Sequence, residues 1–188
     1  LEDATGPPRV VQGPSYVGDI TLEFDAQGRY LVRSGPNYSI HLWDLNGPPG
    51  ARPTVVGRFR TGGVWNLAAF DPEGQWLATT WGLETIELWP LQSPRSLQLP
   101  DFASTVWFTG FTRDSRYLAI CSLGERVRLW PLHALDGDAR ELTPPEECAS
   151  LATDFTEDRI LIGAWNGQVV LQSLAGEPSH RHRFRSGR

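Results

Sequence analysis

Side chains able to move a proton or hold a metal are few in this sequence, and they are scattered. The histidines are His41, His133, His180 and His182. His180 and His182 are two apart, so a strand would set both on one face. That makes a pair of ligands at most. No Cys/His spacing fits a zinc site, and the pair reads as an exposed polar strand face. No serine stands in a nucleophile-elbow motif, and no Gly-rich loop has the phosphate-binding form. The cysteines are Cys121 and Cys148, too few for a disulfide framework. Both stand in apolar, strand-like surroundings, where a free thiol packs as a small hydrophobe. They are therefore expected to be unbridged, in a reducing, cytoplasmic setting. His180 to Arg188 is locally basic. It could meet nucleic acid or anionic lipid. The favoured reading is an outer strand with Arg181, Arg183 and Arg185 in water, where charge blocks edge-to-edge pairing. No catalytic, cofactor-binding or metal-binding residue is assigned, and no cofactor is expected.

The elements that would position these groups belong to an ordinary globular chain. It has 188 residues, 40% hydrophobic, with a net charge of −5. That length can bury a sizeable core. No apolar run approaches the roughly 18–20 residues a bilayer span needs, and no signal segment opens the chain. The spread negative charge argues against a dedicated nucleic-acid surface. All 17 basic residues are Arg, which points to a GC-rich, bacterial genome. The sequence begins at Leu1 and holds no Met, so it is expected to be a piece of a longer protein.

The decisive pattern is internal repetition. Four segments end alike, at Ile40-His41-Leu42-Trp43, Ile86-Glu87-Leu88-Trp89, Val127-Arg128-Leu129-Trp130 and Val169-Val170-Leu171-Gln172. Their last residues are 46, 41 and 42 apart. Each is preceded by a second landmark, with Phe24-Asp25-Ala26-Gln27-Gly28 leading into Arg29-Tyr30-Leu31-Val32. Phe70-Asp71-Pro72-Glu73-Gly74 and Phe111-Thr112-Arg113-Asp114-Ser115 recur in the next two repeats. Phe155-Thr156-Glu157-Asp158 fills the place in the fourth, one residue shorter, and leads into Arg159-Ile160-Leu161-Ile162, in line with Arg29-Tyr30-Leu31-Val32. An apolar strand ends on Phe, a tight turn follows, and a second apolar strand returns.

Repeats of this form resemble the WD-repeat family. The resemblance covers nearly the whole chain. It implies an all-β β-propeller of four four-stranded antiparallel blades, forming an open partial propeller. The strands are expected at 19–24, 29–34, 39–44 and 54–59 in blade one, and at 65–70, 75–81, 85–90 and 95–99 in blade two. Blade three takes 106–111, 116–121, 126–131 and 139–142, and blade four 150–155, 159–164, 168–173 and 180–185. The corresponding domain spans are 19–60, 61–100, 101–145 and 146–188. Residues 1–18 are expected to hold a linker and, at Arg9-Val10-Val11, the outer strand of a preceding blade. Members of the family commonly have about seven blades, so further blades are expected in the parent, and apolar faces at both ends of the row.

Trp43, Asp44, Trp89 and Trp130 are the residues of the repeat signature, and the tryptophans among them read as core. Trp76 matches Tyr30 and Tyr117 and reads as packing too. Only the first repeat has Trp-Asp; the next two have Trp-Pro and the fourth Gln-Ser. The usual Gly-His and a consistent turn Asp are missing, so the family's buried Asp-His-Ser/Thr-Trp bond set cannot take its usual shape. Packing then rests on Trp, Leu and Phe, at about 1.5–3 kcal/mol per large buried side chain.

Trp65, Trp81, Trp107 and Trp165 lie outside the signature. Trp81 and Trp165 end second strands; Trp65 and Trp107 begin first strands. In the family those positions share one rim, so the four form a candidate partner surface. The competing reading is that they only fill space between blades. What the resemblance implies is a non-catalytic protein-interaction module, a scaffold or sensor in a larger signalling protein, contacting protein partners and the parent's other blades. No nucleic acid or membrane is expected. One alternative is a cofactor- or metal-holding propeller enzyme, for which Asp19, Asn66 and Asp154 are the scattered axial candidates. A second is nucleic-acid or membrane-surface binding by the Arg-rich tail.

Overall fold

A computed structural model describes residues 21–35, 39–58, 68–81, 84–93, 95–99, 102, 104–124, 126–135, 137–142, 148–153, 159–164, 167–174 and 180–183. These form four antiparallel sheets and, among the described residues, no helix. Blade one holds β1 (Thr21–Phe24), β2 (Tyr30–Gly35), β3 (Ser39–Asp44) and β4 (Thr54–Arg58). Blade two holds β5 (Ala68–Phe70), β6 (Trp76–Trp81), β7 (Thr85–Pro90) and β8 (Leu97–Gln98). Blade three holds β9 (Val106–Phe111), β10 (Tyr117–Ser122), β11 (Val127–Pro131) and β12 (Arg140–Leu142). Blade four holds β13 (Cys148–Thr153), β14 (Arg159–Ala164), β15 (Gln168–Ser173) and β16 (His180–Arg183). Each sheet is a meander in chain order. The inner strands stand side by side, β1 by β5, β5 by β9 and β9 by β13, in a row that does not close. The proposed outer strand at Arg9-Val10-Val11 lies outside the described residues.

The turns explain the repeat. Gly28 N–H donates to Asp25 C=O at 3.0 Å, Gly74 to Asp71 at 3.0 Å and Ser115 to Thr112 at 2.9 Å. The last residue of each turn has positive φ: 65° at Gly28, 68° at Gly74 and 51° at Ser115. Glycine takes that conformation without steric cost and serine does not. The first residue caps the returning strand. Asp25 Oδ1 accepts from Tyr30 N–H and Asp71 Oδ1 from Trp76 N–H, both at 2.6 Å. In the third turn Thr112 Oγ1 accepts from Tyr117 N–H at 3.0 Å.

Successive blades share one core pattern. β10 is buried almost throughout, because one face packs on blade two and the other on blade four. Its Leu118 and Ile120 join Ala78, Ile86, Leu88 and Trp130. Its Ala119 and Cys121 join Leu129, Leu151, Ile160 and Ile162. A strand covered on both faces reads as a nearly continuous apolar run.

The fourth blade corrects the sequence alignment. Leu31 pairs with Trp43, Leu77 with Trp89 and Leu118 with Trp130; in blade four Ile160 pairs with Gln172. Ile160, not Leu161, is therefore the equivalent residue, and it packs on blade three while Leu161 is 40% exposed. Thr153 faces Ile160, as Phe24, Phe70 and Phe111 face their partners. The Phe155 landmark lies outside the described residues, and β13 starts two residues earlier than expected. A slip of one residue exchanges the two faces of a strand, so burial decides the register.

The cysteine expectation is also corrected. Cys121 is fully buried, as expected, but it is disulfide-bonded. The sequence has one other cysteine, Cys148, at the start of β13 in the neighbouring blade. The disulfide removes the cysteine-based argument for a reducing compartment.

One limb of the expected missing bond set is present in blade two. Trp89 Nε1–H donates to Thr79 Oγ1 at 3.1 Å. Arg33 holds the same register position in blade one and Ile120 in blade three. Accordingly Trp43 Nε1 is buried with no partner among the described residues, and Trp130 Nε1 turns to Leu135 C=O at 3.4 Å. Thr79→Val keeps shape and removes the acceptor. It is expected to cost about 1–2 kcal/mol, read as a lower urea midpoint with unchanged slope.

Candidate partner-binding site

The strand directions sort the loops onto two rims. One rim carries the turns between first and second strands and the connections after third strands. The opposite rim carries the turns between second and third strands and the entries to first strands. The four candidate tryptophans belong by sequence to the opposite rim. Trp107 is exposed. It is the extra residue of a bulge, since Cys121 pairs with Phe108 but Ser122 pairs with Val106. A bulge re-aims the side chain it carries. Trp81 ends β6, paired with Thr85. Trp65 and Trp165 lie outside the described residues, as do Asn66, Asp154 and Asp19. Of the signature residues, Trp43 and Trp130 are core, Trp89 is partly buried and Asp44 is exposed. Among the described residues no three metal-ligating side chains lie together.

Among the described residues a concave feature lies on the other rim, away from the candidate tryptophans. A cleft of about 700 Å³ opens between blades one and two. Its apolar walls are Tyr30, Leu42, Val56, Trp89 and Leu91, and its mouth carries Arg29, Asp44, Thr54, Gln92 and Ser93. The local chemistry places these groups. The Asp25 cap sets the direction of Tyr30, whose hydroxyl crosses to blade two and donates to Leu91 C=O at 3.3 Å. Arg29 lies 4.8 Å above the Tyr30 ring and pairs with Asp44 at 3.4 Å. Asp44 Oδ1 accepts from Asn46 N–H at 2.9 Å, which fixes the following turn. Across the Pro90–Ser93 turn lies an adjoining hollow of about 420 Å³ against Gln75 and Trp76. The one signal for this site in the sequence was Arg29-Tyr30, matched by Gln75-Trp76 and Arg116-Tyr117.

Further bonds lock the turns of successive blades together. Gln27 Nε2–H donates to Pro72 C=O at 3.3 Å, and Glu73 N–H to Ser115 Oγ at 3.2 Å. Between the inner strands, Phe70 N–H donates to Glu23 Oε1 at 3.2 Å. Burial raises the Glu23 carboxyl above its ordinary 4.5, offset in part by that bond. A raised carboxyl binds its proton more tightly in the folded state. Its stabilising effect is complete below about pH 4.5 and is lost as pH rises through the folded value. Glu23→Gln keeps the acceptor and removes the charge. In urea titrations across pH, the parent is expected to lose ground against Glu23→Gln as pH rises above 4.5.

No family model matches the chain, and no curated protein matches it. Solved structures do. The beta-propeller domain of Myceliophteria thermophila Cps50 (Swd1) superposes with a TM-score of 0.70 at 15% identity, over 96% of this chain and 60% of that one. The chain has the fold of a WD40 β-propeller. U3-55K matches with a TM-score of 0.69 at 18% identity, over 93% of this chain and 54% of its own. The RRP9 WD40 repeats match with 0.68 at 19%, over 90% and 52%. The chain thus spans between 52% and 60% of the length of those structures. The cleft lies between the first two of the four described blades.

Proposed function

We propose that this propeller section is a non-catalytic protein-interaction module, holding a partner within a larger signalling or regulatory protein. The observation that carries the reading is the cleft between blades one and two. Its volume of about 700 Å³ and its apolar walls suit one large apolar side chain of an extended peptide. Gln92 and Ser93 at the mouth offer hydrogen bonds to that peptide's backbone. Apolar clefts rimmed by a few polar groups are the usual form of such sites, whereas fold alone assigns no function.

Peptides selected by display against the 188-residue chain test this. They are expected to share a large apolar residue. Thr54→Trp, at an exposed strand start, fills the mouth and is expected to weaken binding at least ~tenfold. Binding that is indifferent to Thr54→Trp overturns the assignment to the cleft. A second surface has its own support in the bulged, exposed Trp107 on the opposite rim. Peptides lost on Trp107→Ala but kept on Thr54→Trp would place the partner there.

A further inference from the structure

The disulfide at Cys121 occupies a place that the other blades fill with ordinary packing residues. Leu31, Leu77 and Leu118 face the third-strand tryptophans, and three residues after each stand Ser34, Thr80 and Cys121. All three are buried, at 3%, 2% and 0% exposure. Cys121 lies in the core between blades three and four, with Leu151 and Ile162, and it is disulfide-bonded. Cys148, the other cysteine of the sequence, begins β13 of blade four. Its counterpart in blade three is Val106, since Val106 faces Ser122 as Cys148 faces Ala164. Val106 is buried in the core shared with blade two. The joint of blades two and three therefore closes with Thr80 and Val106 where the next joint has the two cysteines.

The bond also falls where the ladders are interrupted. Cys121 faces Phe108 and Ser122 faces Val106, which leaves Trp107 as the extra residue of β9. Cys148 faces Ala164 and Ser150 faces Gly163, which leaves Ala149 as the extra residue of the same bulge in β13. A bulge disrupts the ladder locally. β9 and β13 stand side by side, so both inner strands of this joint are bulged at the end where the cysteines lie. Backbone pairing holds that end less firmly than the rest, and a covalent bond there has the most to add.

We propose that the bond between Cys121 and Cys148 is a redox latch on the joint of blades three and four. Oxidised, it ties β10 to β13 and keeps the joint shut. Reduced, the joint closes on its apolar contacts alone, as the preceding joint does with Thr80 and Val106, and it opens far more often. Each blade in a row of repeats contacts only its neighbours, so the loss acts on this joint and leaves that of blades one and two as it was. The reductant is a dithiol. Its thiolate attacks one sulfur, and its second thiol then displaces the mixed disulfide. Two electrons and two protons pass to the protein, two thiols remain on the chain, and the reductant leaves as a cyclic disulfide.

The test is native-state hydrogen exchange of the 188-residue chain, read by mass spectrometry on two samples. One is oxidised; the other is reduced in urea and refolded with dithiothreitol present. Peptide mapping of the oxidised sample is expected to return Cys121 and Cys148 as one linked pair. Amides of β9, β10, β13 and β14 are expected to exchange at least ~tenfold faster in the reduced sample. Those of β2, β3, β6 and β7 are expected to stay within about twofold. The double variant Cys121→Thr, Cys148→Val copies the preceding joint. It is expected to fold, to exchange like the reduced parent and to ignore dithiothreitol. Equal exchange in the oxidised and reduced samples overturns the proposal. So does a reduced chain that fails to refold, or a rise of equal size in all four blades, because the bond would then hold the whole fold rather than one joint. Unlinked cysteines in the oxidised sample, or a double variant that still responds to dithiothreitol, overturn it as well.

Discussion

Asp71→Ala is expected to lower stability by about 3 kcal/mol, among the largest effects of any single change in a turn of this protein. Asp71 is 1% exposed, and its Oδ1 accepts from Gln75 N–H at 2.7 Å and from Trp76 N–H at 2.6 Å. Its Oδ2 accepts from Glu73 N–H at 3.3 Å. Truncation leaves these backbone donors without acceptors where the strand returns. Each hydrogen bond to a charged group is worth about 1.5–3 kcal/mol, and the losses overlap because one carboxylate serves them all. The third turn supplies an internal comparison. There Thr112 Oγ1 caps Tyr117 N–H and also donates to Asp114 Oδ1 at 2.7 Å. Asp71→Thr is therefore expected to lose less than Asp71→Ala, and Asp71→Asn, which keeps an oxygen, less again. Equilibrium urea unfolding of the three variants checks the order. Equal losses would mean that the side-chain bonds contribute little and the turn is set by its backbone.

Reduction of the disulfide at Cys121 is expected to remove about 2–4 kcal/mol. Cys121 sits in the core shared by blades three and four, beside Ala119, Val127 and Leu129. The native protein is expected to show no reactive thiol and the reduced, unfolded chain two. A denaturation series with and without dithiothreitol reads the stability. Superimposable curves would show that the bond contributes nothing or does not form. Cys121→Ala separates the bond from its packing: the variant should match the reduced parent and should not respond to reductant.

Much of the fold is legible in the residues because its signals are local. The Asp25, Asp71 and Thr112 turns, the Gly28 and Gly74 positions and the Trp-ended third strands each act within a few residues. Repetition then multiplies weak signals into a strong one. The same local character misleads in the fourth repeat, where packing sets the register. Leu161 looks like the equivalent of Leu118, and only packing against blade three singles out Ile160. The candidate site was hardly legible. Four tryptophans mark one rim in the sequence, while the cleft opens on the other between residues 61 apart, Tyr30 and Leu91.

The sequence by itself determined the architecture: short strands in four blades, sixteen of them among the described residues, and where most of them turn. Period, turn chemistry and alternation suffice for that, since each blade is specified by its own forty or so residues. Tertiary structure alone decided the rest. It placed a cleft where Arg29 and Tyr30 meet Leu91, bonded Cys121, raised Glu23 by burial and turned Trp107 outward at a bulge. The bulge is set by pairing within blade three, but the cleft, the disulfide and the burial of Glu23 depend on how neighbouring blades approach one another, and no spacing within a single repeat encodes that distance.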